Sequence, residues 1–315
     1  MLIHQFLSRA NKVLNKGKLS ILIYHQVFAE RDPMRASEPD AVTFRWQMEL
    51  VKKYFHPLSI SAALVHLEQN TLPSNAVCIT FDDGYINNLE VATPILKELD
   101  IPATVYVATA FSLGENMWND RLIDLVSANE VSTLTLKALK EAPIKLGDTE
   151  NRVVVAHQLI KKIKYLPFEQ RKTLIDALYL ENRISDRPRK MMSVQQIQQL
   201  QQLGIEIGAH TVDHPILKVI DETEQLAQMQ QSKQALEQIL LHRVKGFAYP
   251  NGKLGVDYDS ATRDLAEQVG FDYAVSTNWG ISSNHTDKFQ LNRFTPWDKT
   301  PLKFHLRLIR NLIGL

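Results

Sequence analysis

Between residues 76 and 108 the chain reads strand, helix, strand: the apolar run AVCITF, the helix-spaced NLEVATPILKEL, a short turn at 100–102, then ATVYVA. A pattern of this length makes a βαβ unit, whose right-handed crossover sets its strands parallel in one sheet. The alternation resumes after residue 192. SVQQIQQLQQLG predicts a helix capped by Ser193 and stopped at Gly204, IEIGAHT a strand, DETEQLAQMQQSKQALEQILL a long polar-faced helix, and VKGFAYP a strand. SATRDLAEQVGFDYAVST repeats helix, glycine and strand once more. An earlier apolar run, LSILIYHQV at 19–27, precedes two helices, one opening near Thr43 and one at Ser59 or Ser61. Such a chain is an α/β protein with a parallel sheet, and reactive side chains belong at the carboxyl ends of its strands.

Two constellations stand at such ends. ITFDDGY places Asp82 and Asp83 side by side where an apolar run stops, with Gly84 supplying the freedom for a sharp exit. GAHTVDH places His210 at another strand end and His214 four residues later, close enough for both imidazoles to aim at one point. Two neutral imidazoles and one carboxylate form a facial set for a divalent metal, leaving positions for water and substrate, and Asp83 is the obvious carboxylate. Either pattern alone is common on polar surfaces; both at strand ends of one α/β chain point to metal chemistry.

Composition narrows the function classes. The 315 residues carry 36 basic and 35 acidic side chains with 44% hydrophobic residues, which lacks the basic excess of a dedicated nucleic-acid binder. The one cysteine, Cys78, excludes an internal disulfide and reads as a small buried hydrophobe. No apolar core with a cleavage site opens the sequence and no stretch reaches membrane-spanning length, so the expected location is cytoplasmic. FLSRANKVLNKGK near the start and PLKFHLRLIRNLIGL at the end mix basic and large apolar residues at helical spacing. Each suits either a helix docked on the domain or peripheral contact with the inner face of a membrane.

TFDDGY together with HTVDH resembles the first two motifs of the polysaccharide deacetylase family, the NodB-like carbohydrate esterases of family 4, and FAYPNG at 247–252 is similar to a groove-wall motif of one subset. The resemblance covers roughly 75–112 and 193–295 and implies an α/β fold, a distorted (β/α) barrel. The early strand resembles a permuted-motif subset, which implies one domain over 1–315. It would comprise the permuted strand and helices at 18–70, the core motifs at 75–295, and a helical insertion at 112–192, a stretch rich in Lys, Leu, Gln and Glu.

By this resemblance Asp83, His210 and His214 hold one metal ion, Zn2+ first with Co2+, Ni2+ or Fe2+ as alternatives, and Asp82 is the general base. The implied activity is hydrolytic N-deacetylation of an amino sugar in a polysaccharide or glycan precursor. Asn251 would offer its N–H to the oxyanion, with Tyr249 and Pro250 shaping the groove. The family's base-orienting arginine is matched here by Ala248, and Arg293 in LNRF is the candidate substitute. The late histidine that serves as general acid has no clean match: His285 and His305 read as solvated, whereas His25 ends the early strand and is the better candidate. His56, His66, His157 and His242 are expected on helices or their ends. Trp118, Trp279 and Trp297 suit either sugar stacking or packing. Two other readings remain open, a glycan-binding module without turnover and a Mg2+-dependent phosphoryl-transfer enzyme; the paired histidines argue against the second because Mg2+ prefers oxygen ligands.

Overall fold

The computed structural model describes residues 16–313. In chain order the barrel begins with β1 (Leu19–Tyr24), α1 (Ala41–Tyr54), β2 (His56–Pro57), α2 (Ile60–Glu68), β3 (Ala76–Phe81), α3 (Thr93–Glu98) and β4 (Ala103–Val107). A segment follows with α4 (Trp118–Ser127), the two-stranded β5 (Thr133–Leu134) and β6 (Ile144–Lys145), α5 (Thr149–Ile163) and α6 (Phe168–Asn182). The barrel then continues with α7 (Val194–Gln202), β7 (Glu206–Ala209), α8 (Glu222–Leu240), β8 (Gly246–Ala248), α9 (Ser260–Gln268), β9 (Tyr273–Val275) and α10 (Pro301–Ile313). The basic, apolar segment near the start lies mostly outside the described residues. No helix among them is long and apolar enough to cross a membrane.

All pairs along the order β1-β3-β4-β7-β8-β9 are parallel, as right-handed crossovers require. The sheet curls into a distorted barrel of the NodB-like type, and residues 291–294 join its two edges. Leu291 bridges to Val275 and Phe294 to Leu22, both in parallel, with Leu291 N donating to Ala274 O (3.0 Å) and Ile23 N to Phe294 O (3.1 Å).

The two-residue period of a strand divides the side chains between two cores. Val77, Ile79, Phe81, Val105, Ile207 and Phe247 face the helices, whereas Ala76, Cys78, Tyr106, Ala248 and Tyr273 pack inside the curl. At Gly208 a Cβ would sit 2.3 Å from the Tyr106 ring, so the ring occupies the space a larger residue would need. The inward series on β3 continues from Cys78 through Thr80 to Asp82, and on β7 from Gly208 to His210. This register brings the acidic and histidine motifs to one mouth.

Residues 118–182 bury a core of their own, including Leu122, Leu125, Leu159, Ile175 and Leu178. Trp118 packs there with the Arg171 guanidinium 4.6 Å from its ring centroid, so it is a packing anchor. A buried polar network ties this segment to the barrel. Asp120 accepts from Arg35 Nε (2.7 Å) and the Tyr85 hydroxyl (2.6 Å), while Asp124 accepts from Arg35 Nη2 (3.0 Å) and Lys190 Nζ (2.5 Å).

Several local expectations shift. The first barrel helix begins at Ala41 because Asp40, rather than Thr43, caps it, accepting from Thr43 N at 2.7 Å. Ser59 caps α2, and Ser193 with Gln196 forms a capping box on α7. His56 follows the C-cap of α1 and opens β2. His305 was expected in solvent; it is fully buried, because α10 turns this face inward and sets its ring 5.2 Å from Tyr54 and 5.3 Å from Phe55.

Candidate active site

The Asp-Asp-Gly turn takes its shape from the backbone. Asp83 and Gly84 both adopt left-handed conformations (φ 74° and 88°), and Gly84 N donates to Asp82 O at 3.0 Å. The second turn is similarly tight: Thr211 and His214 have φ of 65° and 53°, unusual for any side chain and especially for a β-branched one. The surroundings hold it there. His210 N donates to Val107 O, Thr109 N to Thr211 O, and His214 N to the Thr211 hydroxyl at 3.1 Å. From α8, Gln228 Oε1 accepts from Val212 N (2.9 Å) and Asp213 N (3.0 Å), and its amide donates to Asp213 Oδ2 (2.8 Å). Strained backbone of this kind persists only where neighbours over-determine it.

These turns bring Asp83, His210 and His214 together. Their ligand atoms lie within 4.8 Å of one another, with Asp83 Oδ1 at 3.5 Å from His210 Nε2 and 3.4 Å from His214 Nε2. Asp83 Oδ1 is buried without a hydrogen-bond partner. His210 Nδ1 lies 2.7 Å from Ala248 O, which can only accept, so Nδ1 carries a proton and Nε2 is the nitrogen turned toward Asp83. Burial presses the His214 pKa down to about 3, leaving that ring neutral. At Asp83 burial works against ionisation, but the neighbouring His210, His214 and His25 outweigh it and hold the carboxyl well below the usual carboxylate range. An orphaned carboxylate oxygen facing two imidazole nitrogens fits a divalent cation, and the nitrogen-rich set suits zinc-like metals better than Mg2+.

Asp82 is built for a different task. Both its oxygens accept from Arg293, Oδ1 from Nη1 and Oδ2 from Nη2, each at 2.7 Å. Arg293 is fully buried, its Nε donates to Ser276 O (2.8 Å), and Nη1 also reaches the Thr80 hydroxyl (3.3 Å). Burial would raise the Asp82 pKa, but the facing guanidinium, helped by His210 and His25, holds it below 3.8. Arg293 thus stands where the Ala248 side chain cannot reach, projecting from the segment that closes the barrel.

His25 follows β1 directly and is half-buried. Burial disfavours its charged form, yet the carboxylates of Asp83, Glu38 and Asp82 prevail and raise its pKa above 6.5. Glu38 was not anticipated. It is half-buried, accepts from Gln26 N at 3.2 Å, and burial raises its own pKa against the pull of His25. Nothing in SEPDAV marked it, because its position follows from how the 28–40 loop folds back.

The FAYPNG segment is divided by the strand period. Ala248 faces inward, so Tyr249 faces outward, fully buried, stacked on Tyr258 (3.9 Å, 2°) and donating to Phe289 O at 3.0 Å. The groove-wall position expected for Tyr249 is therefore corrected to a packing position. Pro250 is buried beside it. Asn251 is left-handed (φ 56°), its carbonyl accepts from the Thr277 hydroxyl (2.5 Å), and its N–H has no protein acceptor among the described residues. His285 is exposed in its loop, away from this constellation.

Comparison with known proteins accords with this geometry. The chain is similar to YxkH, a putative polysaccharide deacetylase of Bacillus subtilis (strain 168), with 22% identity over 283 residues that span 90% of this chain and 72% of that protein. In fold it is similar to the Streptococcus pyogenes deacetylase PplD, solved in complex with acetate (TM-score 0.62, 22% identity, 93% of this chain and 98% of that one). It is also similar to IcaB from Ammonifex degensii (TM-score 0.59, 17% identity, 94% and 97%). The family model for polysaccharide deacetylase matches residues 69–149 and 168–274, and with both motifs inside those bounds the chain belongs to the polysaccharide deacetylase family.

Proposed function

We propose that this protein is a metal-dependent N-deacetylase, hydrolysing the acetamide of an N-acetylated amino sugar in a polysaccharide or glycan precursor to acetate and a free amine. The observation that supports it most is the division of labour between adjacent carboxylates: Asp83 turned toward two imidazoles, Asp82 clamped by a buried guanidinium. Asp83, His210 and His214 would hold one divalent ion, Zn2+ first with Co2+, Ni2+ or Fe2+ as alternatives. Such an ion supplies a Lewis acid that polarises an amide carbonyl and acidifies a water. Asp82, ionised and oriented by Arg293, takes the proton of the attacking water as its oxygen adds to the carbonyl carbon. The Asn251 N–H points its dipole at the developing oxyanion. His25 in its protonated form gives a proton to the departing nitrogen as the C–N bond breaks. This reading treats 1–315 as one catalytic domain, with the 112–192 segment as its helical insertion.

The test is acetate release from a panel of N-acetylated glycans, using wild type and Asp82→Asn, each stripped of metal and resupplied. The expected outcome is release that requires metal and falls by roughly 10²-fold or more in Asp82→Asn, the usual scale of a lost general base, with metal content unchanged. Glycan binding without metal-dependent release would identify a binding module, and phosphate release without acetate release a phosphoryl-transfer enzyme; either overturns the proposal.

A further inference from the structure

The outer face of α10 is unlike the rest of a nearly neutral protein. Phe304, His305, Leu308 and Asn311 bury its inner face, leaving Lys303, Leu306, Arg307 and Arg310 at three- and four-residue spacing on the outer one. Arg307 is bonded to Asp298, whereas Lys303 and Arg310 make no ion pair among the described residues. Beside this face stand two tryptophans exposed to 47% and 55%, Trp279 and Trp297, with ring centroids 5.9 Å apart and the Arg307 guanidinium over both. A groove of about 550 Å3, mostly apolar, runs from Trp279 along Lys303, Leu306, Arg307 and Arg310, with the buried Asp298, paired to Arg307, in its wall.

Trp279 packs one side of its ring on Phe294 (5.3 Å), but its exposed part, with Trp297 and Leu306, forms an apolar patch rimmed by cations, and such a patch marks a docking surface. Their chemistry selects the occupant. Tryptophan partitions to the headgroup level of a bilayer, leucine to the acyl boundary, and unpaired Lys and Arg are drawn to anionic headgroups. We propose that the outer face of α10, with Trp279 and Trp297, docks this protein onto an anionic lipid surface. Trp297 also lines the adjoining groove that contains Glu38, so a docked molecule holds the rim near the catalytic mouth against the lipid. The docking itself does not depend on the deacetylase reading.

The full chain is mixed with vesicles of phosphatidylcholine alone or blended with phosphatidylglycerol, and binding is followed by co-sedimentation and tryptophan emission. Binding to the anionic vesicles only, weakened by added salt and accompanied by a blue shift, is the expected result. Lys303→Glu with Arg310→Glu should weaken it at least about 25-fold, since each cation near an anionic surface contributes roughly fivefold. Trp279→Ala with Trp297→Ala should keep some attraction but lose the blue shift. The neutral pair Lys303→Gln with Arg310→Gln gives an intermediate effect and guards against misfolding of the charge-reversed variant. No binding to anionic vesicles, or unchanged binding in the variants, overturns the proposal. Equal binding to a soluble anionic polysaccharide without a blue shift would also overturn it, identifying a polyanion site instead.

Discussion

Arg293 and Asp82 form a fully buried ion pair with two parallel hydrogen bonds, so each depends on the other. Replacing Arg293 with Met leaves a buried carboxylate unopposed, and its pKa should rise from its present depressed value. The expected cost is about 3–5 kcal/mol of stability, as for other broken buried pairs, with acetate release falling on the order of 10²-fold or more. Chemical denaturation and single-turnover assays check the two separately. That Asp82, Asp83, His210 and His214 would meet was legible in the sequence, because both motifs stand at the ends of strands in one parallel sheet. Arg293 was reachable only as a candidate, since its contact spans more than two hundred positions. Tyr249 was misread because a motif fixes which residues are present, while strand register decides which of them face inward.

The elements act through their ends and faces. Gln228 lies mid-helix in a stretch that looked merely polar, yet it holds the His210–His214 turn by two backbone amides and one carboxylate. Gln228→Leu should loosen that turn and weaken metal affinity by roughly 10–100-fold, the range for lost support behind metal ligands; calorimetric titration of the metal-free protein measures it. No sequence signal distinguishes Gln228 from its neighbours. Asp40 caps α1 and closes the 28–40 loop that carries Glu38. Bonds from the Thr43 hydroxyl and N–H lower its pKa below 3.8, so its contribution is present above that pH and lost as pH falls through the folded-state value. Asp40→Ala should therefore cost about 1 kcal/mol at neutral pH, shrinking below about pH 4. Urea denaturation across pH gives both, and Asp40→Asn should lose less.

At the scale of the whole molecule, the alternation of strand and helix foretold the parallel sheet, and the family resemblance its curl. The closing segment was not legible, because residues 291–294 satisfy it with scattered bridges rather than an alternating run. That closure has a thermal consequence. Leu291, Arg293 and Phe294 are buried, their backbone is bonded to the β9 edge on one side and to β1 on the other, and Arg293 carries the guanidinium that clamps Asp82. A segment buried and bonded on both sides opens only with the core around it. Heating should therefore extinguish acetate release and the helical circular dichroism signal at one midpoint. Loss of activity several degrees earlier would show that the closure opens by itself. Like the last stave of a cask, the seam makes catalytic competence a property of the ring being shut, and fitness to act is surrendered together with shape.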